Sequence, residues 1–185
     1  RKASANRPWE GDDHIAEDDA RGWQTIAPSA IAFGGHLAKQ PQAMTLEDIA
    51  RVREDFVAAA RRARDAGFEW LELHFAHGYL AQSFLSEHSN HRDDAYGGSF
   101  DNRIRFLLET LAAVREVWPE HLPLTARLGV IEYDGRDEQT LTEAIELIAQ
   151  NVRTYTPPVV VGVERRHMLS QRSRLRDSLL SHRRV

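Results

Sequence analysis

The 185-residue chain has no cysteine, which excludes a disulfide framework, a thiolate nucleophile and a zinc–thiolate site. It has no apolar run long enough to span a membrane, and Arg1-Lys2-Ala3-Ser4-Ala5-Asn6-Arg7 is not followed by the apolar centre of a secretory signal. The expectation is a cytoplasmic protein with no membrane partner. Positive charge is also lacking: 24 Lys and Arg against 28 Asp and Glu leave a net charge of −4. The clustered positive field that holds nucleic acid is therefore missing from the bulk of the chain. Glycine and proline are too sparse, at 11 and 7, for a collagen or a low-complexity polymer. What remains is an ordinary globular composition, 42% hydrophobic and 28% charged, at the length of one domain.

From Arg1 to Gln42 no apolar period lasts, and Pro8, Gly11, Gly22, Pro28, Gly34, Gly35 and Pro41 punctuate the chain. This reads as one long ordered loop, a length that is usually functional or covering. Thr45 with Asp48 forms a capping-box pattern. Ile49, Val52, Phe56, Ala59, Ala60 and Ala63 then recur at helical spacing until Gly67 stops the helix. A strand follows over Phe68 to His74, with Leu71 and Leu73 alternating against Glu72 and His74. Ser99 caps a second helix carrying Ile104, Leu107, Leu108, Leu111, Val114 and Val117, which ends at Trp118-Pro119. Leu122 to Val130 reads as the next strand. A third helix over about 138–149 places Leu141, Ala144, Ile145 and Ile148 on one face. Helices alternating with short apolar strands predict an α/β fold with a parallel sheet. Two to three such units fall short of a closed (β/α)8 barrel of roughly 250 residues.

Beyond Asn151 the composition shifts. Pro157-Pro158 and Val159-Val160-Val161 lead into Arg165, Arg166, Arg172, Arg174, Arg176, Arg183 and Arg184. With no aromatic residue after Tyr155 to stack bases, this stretch reads as a disordered or weakly helical tail rather than a nucleic-acid arm. The expected division is residues 1–150 as the structured unit and 151–185 as the arginine-rich tail.

Leu73-His74-Phe75-Ala76-His77-Gly78-Tyr79-Leu80 holds the candidate chemistry, at the C-terminal end of a strand where parallel α/β folds place reactive groups. Three readings of the two histidines stand. They bind a metal, which requires further ligands that the neighbouring sequence does not supply. They satisfy loop carbonyls. Or they donate N–H groups to an oxygen that gains negative charge, with Tyr79, a phenol of ordinary pKa ~10, as proton source.

The run Ala66-Gly67-Phe68 through Leu80, with Phe84-Leu85-Ser86 and Ser89-Asn90-His91-Arg92-Asp93-Asp94-Ala95-Tyr96-Gly97-Gly98-Ser99-Phe100-Asp101-Asn102-Arg103-Ile104-Arg105-Phe106, resembles the Old Yellow Enzyme family of flavin-dependent ene-reductases. The resemblance rests on His-x-x-His-Gly-Tyr and Asn-x-Arg-x-Asp-x-Tyr-Gly-Gly-Ser-x-x-Asn-Arg in order. It extends back through Trp23-Gln24-Thr25-Ile26-Ala27-Pro28-Ser29-Ala30-Ile31 to Arg1, reaches forward to Arg127, and fades by about Ile148. It implies a partial TIM (β/α)8 barrel, roughly the third to fifth βα units, with a non-family tail. It further implies FMN on the C-terminal rim, reduced by NADPH or NADH, and hydride passed from flavin N5 to the β-carbon of a small electrophilic alkene. On matching positions, His74 and His77 would hold the substrate's carbonyl or nitro oxygen and Tyr79 would protonate the α-carbon. Arg127 would sit beside the flavin pyrimidine edge, where a guanidinium that cannot lose its charge favours negative charge on the reduced ring. An oligomer is open within the family.

Arg92, Asp93, Asp94, Asn102, Arg103 and Arg105 read instead as a hydrogen-bonded brace around the Gly97-Gly98 turn. The chain also departs from the family pattern. It begins inside the third unit, no Gly-rich phosphate cradle is present, and the arginine-rich tail stands where later strands are expected. The expectation is a truncated or frame-disrupted product with impaired activity. The rivals are a non-catalytic remnant that binds no flavin and a metal-dependent barrel hydrolase using His74 and His77.

Overall fold

The computed structural model describes residues 5, 6, 14–34, 37–130, 132, 134–154 and 160–164, with side chains described through 150. The tail at 165–185 and the stretch Arg1 to Ser4 lie outside the described residues. Strand β1 (Ile26–Ala27) pairs in parallel with β2 (Gln42–Ala43). Helix α1 (Leu46–Asp65) follows, then β3 (Leu71–Phe75), the short α2 (Leu80–Leu85) and α3 (Phe100–Val117). Strand β4 (Leu124–Gly129), α4 (Asp137–Thr154) and β5 (Val160–Glu164) complete the order. Strands β3, β4 and β5 form one parallel sheet in sequence order, with His74 opposite Arg127 and Arg127 opposite Gly162.

The elements follow from their local chemistry. Thr45 and Asp48 make the reciprocal capping box that opens α1, each side chain meeting the other's backbone N–H at 3.1 Å. At the other end Gly67 has φ +83, Gly67 N–H donates to Arg64 O and Phe68 N–H to Ala63 O. That is a Schellman stop, and it consumes Phe68. The strand therefore begins at Leu71 rather than Phe68, leaving Phe68 and Trp70 exposed. Ser99 caps α3 by accepting from Asn102 N–H.

Helices α1 and α3 cover one face of the sheet. Leu73 and Phe75 of β3 and Leu124, Ala126 and Leu128 of β4 are buried on that side with Ile49, Val57, Ile104, Leu107 and Val114. Phe56 meets Phe75 edge-on at 6.3 Å between ring centroids, and Phe84 stacks on Phe106 at 4.5 Å. Burying a side chain of this size contributes roughly 1.5–3 kcal/mol. Period-two alternation sends Glu72, His74, Thr125 and Arg127 to the opposite face. That polar face is the one available for chemistry.

Three further differences from the sequence reading have physical causes. The region before Thr45 is not wholly irregular: Gln42 N–H donates to Thr25 O and Met44 N–H to Ala27 O, closing the short β1–β2 pair. Helix α4 buries Ala144 and Leu147 while Leu141 and Ile145 stay exposed, so the buried stripe is rotated from the expected one to admit Leu147 to the core. The structured part also runs past residue 150. Helix α4 reaches Thr154, and β5 is hydrogen-bonded along β4, because a short parallel strand gains its stability from a neighbour and not from its own pattern.

The Asn90 to Arg105 run is a brace, as its composition suggested. Arg92 pairs with Asp94 and donates to Pro28 O at 3.0 Å and Met44 O at 2.6 Å, tying the N-terminal segment to the loop between α2 and α3. Asn90 Nδ2 donates to Phe84 O and Tyr96 O. Gly97 has no room for a side chain because a Cβ there would strike Arg92, while Gly98 has φ +76. Arg105 Nε donates to Ala95 O and Asn102 Nδ2 to Gly97 O.

A pH dependence follows from the ion pairs at the mouth of the sheet. Arg136 bonds Glu87 and Asp134 at 2.9 Å each, and His88 bonds Asp134 at 2.7 Å. The Arg136 hydrogen bond lowers the Glu87 carboxyl, the His88 hydrogen bond lowers that of Asp134, and Arg92 lowers that of Asp94. A carboxyl whose folded pKa lies below its unfolded value stabilises the fold above the unfolded pKa and loses that contribution as pH falls through the folded one. The unfolded values are 4.5 for Glu and 3.8 for Asp. Urea unfolding midpoints are expected to be level in these groups' contribution between pH 5 and 7 and to fall below pH ~4. A midpoint that rose on acidification would contradict the assignment.

Candidate active site

His74 is the penultimate residue of β3 and points to the face opposite the helices, where it is exposed. The chain then turns sharply. His77 has φ +58 and Gly78 has φ +65. Glycine adopts this left-handed region freely, but for histidine it costs on the order of 1–3 kcal/mol and persists only where surroundings enforce it. The turn brings three rings together. His74 Nε2 lies 3.0 Å from His77 Nδ1, with the rings 4.8 Å apart, and the Tyr79 ring stands edge-on to His74 at 5.4 Å. Tyr79 is the N-cap of α2 and is 44% exposed.

Hydrogen bonding assigns the tautomers. Ala76 N–H donates to His74 Nδ1 at 3.3 Å, so a neutral His74 carries its proton on Nε2 and donates it to His77 Nδ1. The proton of a neutral His77 is then on Nε2. For both rings to donate to one oxygen, the His74 N–H must turn away from its partner.

Arg127 lies on the adjacent strand, level with His74. Its Nη2 meets Glu72 Oε1 at 2.8 Å, both side chains being about one-third exposed, 36% and 37%. The pair holds the guanidinium on the polar face of the sheet toward Glu72, two residues before His74 on β3. A cavity of about 580 Å³ opens beside Tyr79, walled by Trp23, Ile26, Phe33, Leu80 and Ser83. The long N-terminal segment thus covers the rim, in keeping with its length, and the fold decides which of its residues form the wall. Gln82 was also missed. It is 5% exposed, and its Oε1 accepts Gly78 N–H at 2.8 Å. Its only sequence signal is a glutamine three residues after an N-cap.

The metal reading finds little support. Among the described residues the group of three His, Asp or Glu ligands that come close together is His88, Glu132 and Asp134, with ligand atoms within 4.8 Å. His74 and His77 have no third such ligand there. Arg136, with Nε 2.9 Å from Asp134 and Nη2 3.4 Å from His88, already supplies the cation to that group. Among the described residues no helix is long and apolar enough to cross a membrane.

The sequence profile of the NADH:flavin oxidoreductase / NADH oxidase family matches residues 10–168. The chain belongs to that family. An NADH:flavin oxidoreductase of Gibberella zeae is 44% identical over 149 residues, covering 78% of this chain and 36% of the relative. An NADPH dehydrogenase of Clostridium acetobutylicum is 47% identical over 125 residues, covering 68% of this chain and 37% of the relative. The crystal structure of Old Yellow Enzyme from Pichia sp. AKU4542 superposes with a TM-score of 0.68 at 31% identity, over 79% of this chain and 42% of that one. The fold is accordingly part of an Old Yellow Enzyme-type (β/α)8 barrel, and this family member spans about a third of the length of the curated relatives it matches. The match passes Asn151, where the sequence reading starts a non-family tail, and takes in α4 and β5 whole.

Proposed function

We propose that this family member forms the substrate-facing rim of an FMN-dependent NAD(P)H oxidoreductase that reduces activated carbon–carbon double bonds in small molecules. The observation that carries the reading is the meeting of His74, His77 and Tyr79 on one rim with Arg127 level with them on the next strand. The residues fit the ring end of the cofactor. A cation held by Glu72 on the same strand face as the His74 imidazole is a donor set suited to a heteroaromatic ring with carbonyl edges. Arg127 would hold that edge, and among the described residues no phosphate cradle accompanies it.

Bound FMN supplies the hydride. The imidazoles bind the substrate's carbonyl or nitro oxygen through N–H groups, stabilising the negative charge that hydride addition at the β-carbon pushes onto that oxygen. Tyr79 then gives its phenolic proton to the α-carbon, so one hydride and one proton saturate the double bond. Water restores the proton, which the exposure of Tyr79 permits. The cavity beside Tyr79 gives a small molecule room to approach the phenol, while His74, His77 and Arg127 lie outside its lining.

The test is direct. The purified chain is incubated with FMN, freed of unbound flavin, and titrated anaerobically with NADPH or NADH. Stoichiometric yellow colour that bleaches and returns on adding 2-cyclohexenone is the expected result. A colourless protein would leave the non-catalytic remnant as the reading for this chain, and bleaching without recovery by the enone would remove the alkene as substrate.

A further inference from the structure

Gln82 belongs to neither the resemblance nor the set of rings, yet it joins the two strands of the site. Helix α2 starts at Leu80 with Tyr79 as its N-cap, and no side chain caps it in the usual way. Gln82 is the third helical residue, where a glutamine ordinarily reaches back to the N-cap N–H. Here it reaches one residue further, to Gly78 N–H at 2.8 Å. Gly78 and His77 are the two consecutive left-handed residues, so the bond lands on the strained turn itself. The same amide lies flat on the end of β4. A Cβ built on Gly129 would sit 2.6 Å from Gln82 Cδ, so this position has room only for glycine while the amide is in place. Gly129 is two residues beyond Arg127 on the same face of the strand.

From these two observations we infer that Gln82 is a positioning residue. It holds the His77–Gly78 turn, and through it the directions of the His77 ring and the Tyr79 phenol, against the end of the strand that carries Arg127. The Gln82 side chain is buried and shields the bond, while Gly78 itself is partly buried on the wall of the cavity, so removing the amide opens its N–H to exchange. The left-handed His77 is the residue with most to gain from relaxing: Ser83 Oγ also reaches the turn from α2, donating to Gly78 O at 3.3 Å, but Gln82 is the α2 side chain that takes up the Gly78 N–H. This inference rests on the proposed reaction for its kinetic consequence and on geometry alone for its structural one.

The test uses the full chain and three variants. Gln82→Leu removes the acceptor at similar volume, Gln82→Glu keeps an acceptor, and Gly129→Ala leaves Gln82 present but displaces its amide. Hydrogen exchange at Gly78 N–H, read by NMR without cofactor, is expected to rise about tenfold in Gln82→Leu and Gly129→Ala, as for the loss of one hydrogen bond. Gln82→Glu should stay near the parent. With FMN bound, kcat for 2-cyclohexenone should fall about 10- to 100-fold in the first two variants. KM should change by less than about threefold and NADPH bleaching by less than about twofold, with Gln82→Glu recovering most of kcat. Unchanged Gly78 exchange in both disruptive variants would overturn the positioning role. So would raised exchange with kcat unchanged. Raised exchange in both disruptive variants, with a parent that reduces no enone, would support the structural half and count against the proposed reaction instead.

Discussion

Tyr79→Phe is expected to slow alkene reduction by about 100-fold or more, the span a positioned general acid ordinarily supplies. Reduction of bound FMN by NADPH should stay within about twofold, because the role proposed for the phenol lies in the other half of the cycle. The two half-reactions, followed separately by stopped-flow absorbance, make the comparison. The ring of the variant still packs edge-on to His74, so the loss isolates the hydroxyl from the aromatic contact. Equal slowing of both halves would point to a disturbed rim and withdraw the proton-donor role. Full retention of alkene reduction would place the proton elsewhere.

The second large effect is on stability. Arg103→Met is expected to cost about 3 kcal/mol, near the lower end for breaking a buried ion pair. Arg103 is 3% exposed and saturated with partners. Its Nε donates to Leu85 O at 2.8 Å, Nη1 to Gly98 O at 2.9 Å, and Nη2 to both Glu143 oxygens at 2.9 Å. Glu87 adds a further ion pair at 3.0 Å. One guanidinium thus ties α2, the Gly98 turn, α3 and α4 together. The variant leaves two carbonyls without a donor, while water reaches the half-exposed Glu87 and softens the loss. For a chain of this size the thermal midpoint should drop by roughly 6–12 °C. Arg103→Lys keeps the charge but not the fork, and should fall between parent and Met variant. A Met variant within 1 °C of the parent would show that packing alone carries this junction.

The effects separate because the residues differ in surroundings. Arg103 is buried between the end of α2, the Gly98 turn and α4, whereas Tyr79 is exposed at the start of α2. A stability loss at Arg103 with the remaining folded protein fully active, and an activity loss at Tyr79 with no change in midpoint, would together establish that separation.

Sequence alone determined the local punctuation and the chemistry on offer. The Thr45 box, the Gly67 stop, the Ser99 cap and the βα alternation are set by interactions within a few residues, so pattern suffices to read them. The His-x-x-His-Gly-Tyr spacing also named the rings, and the family with them. Tertiary structure decided what depends on partners distant in the chain. The level of Arg127 with His74 is a matter of strand register, and its pairing with Glu72 depends on two strands meeting. Which stripe of α4 is buried, whether 160–164 is a strand, and where the Gln82 amide rests were each settled by a neighbour more than ten residues away. A short apolar run or a lone glutamine has several stable environments of nearly equal free energy, and only packing chooses among them.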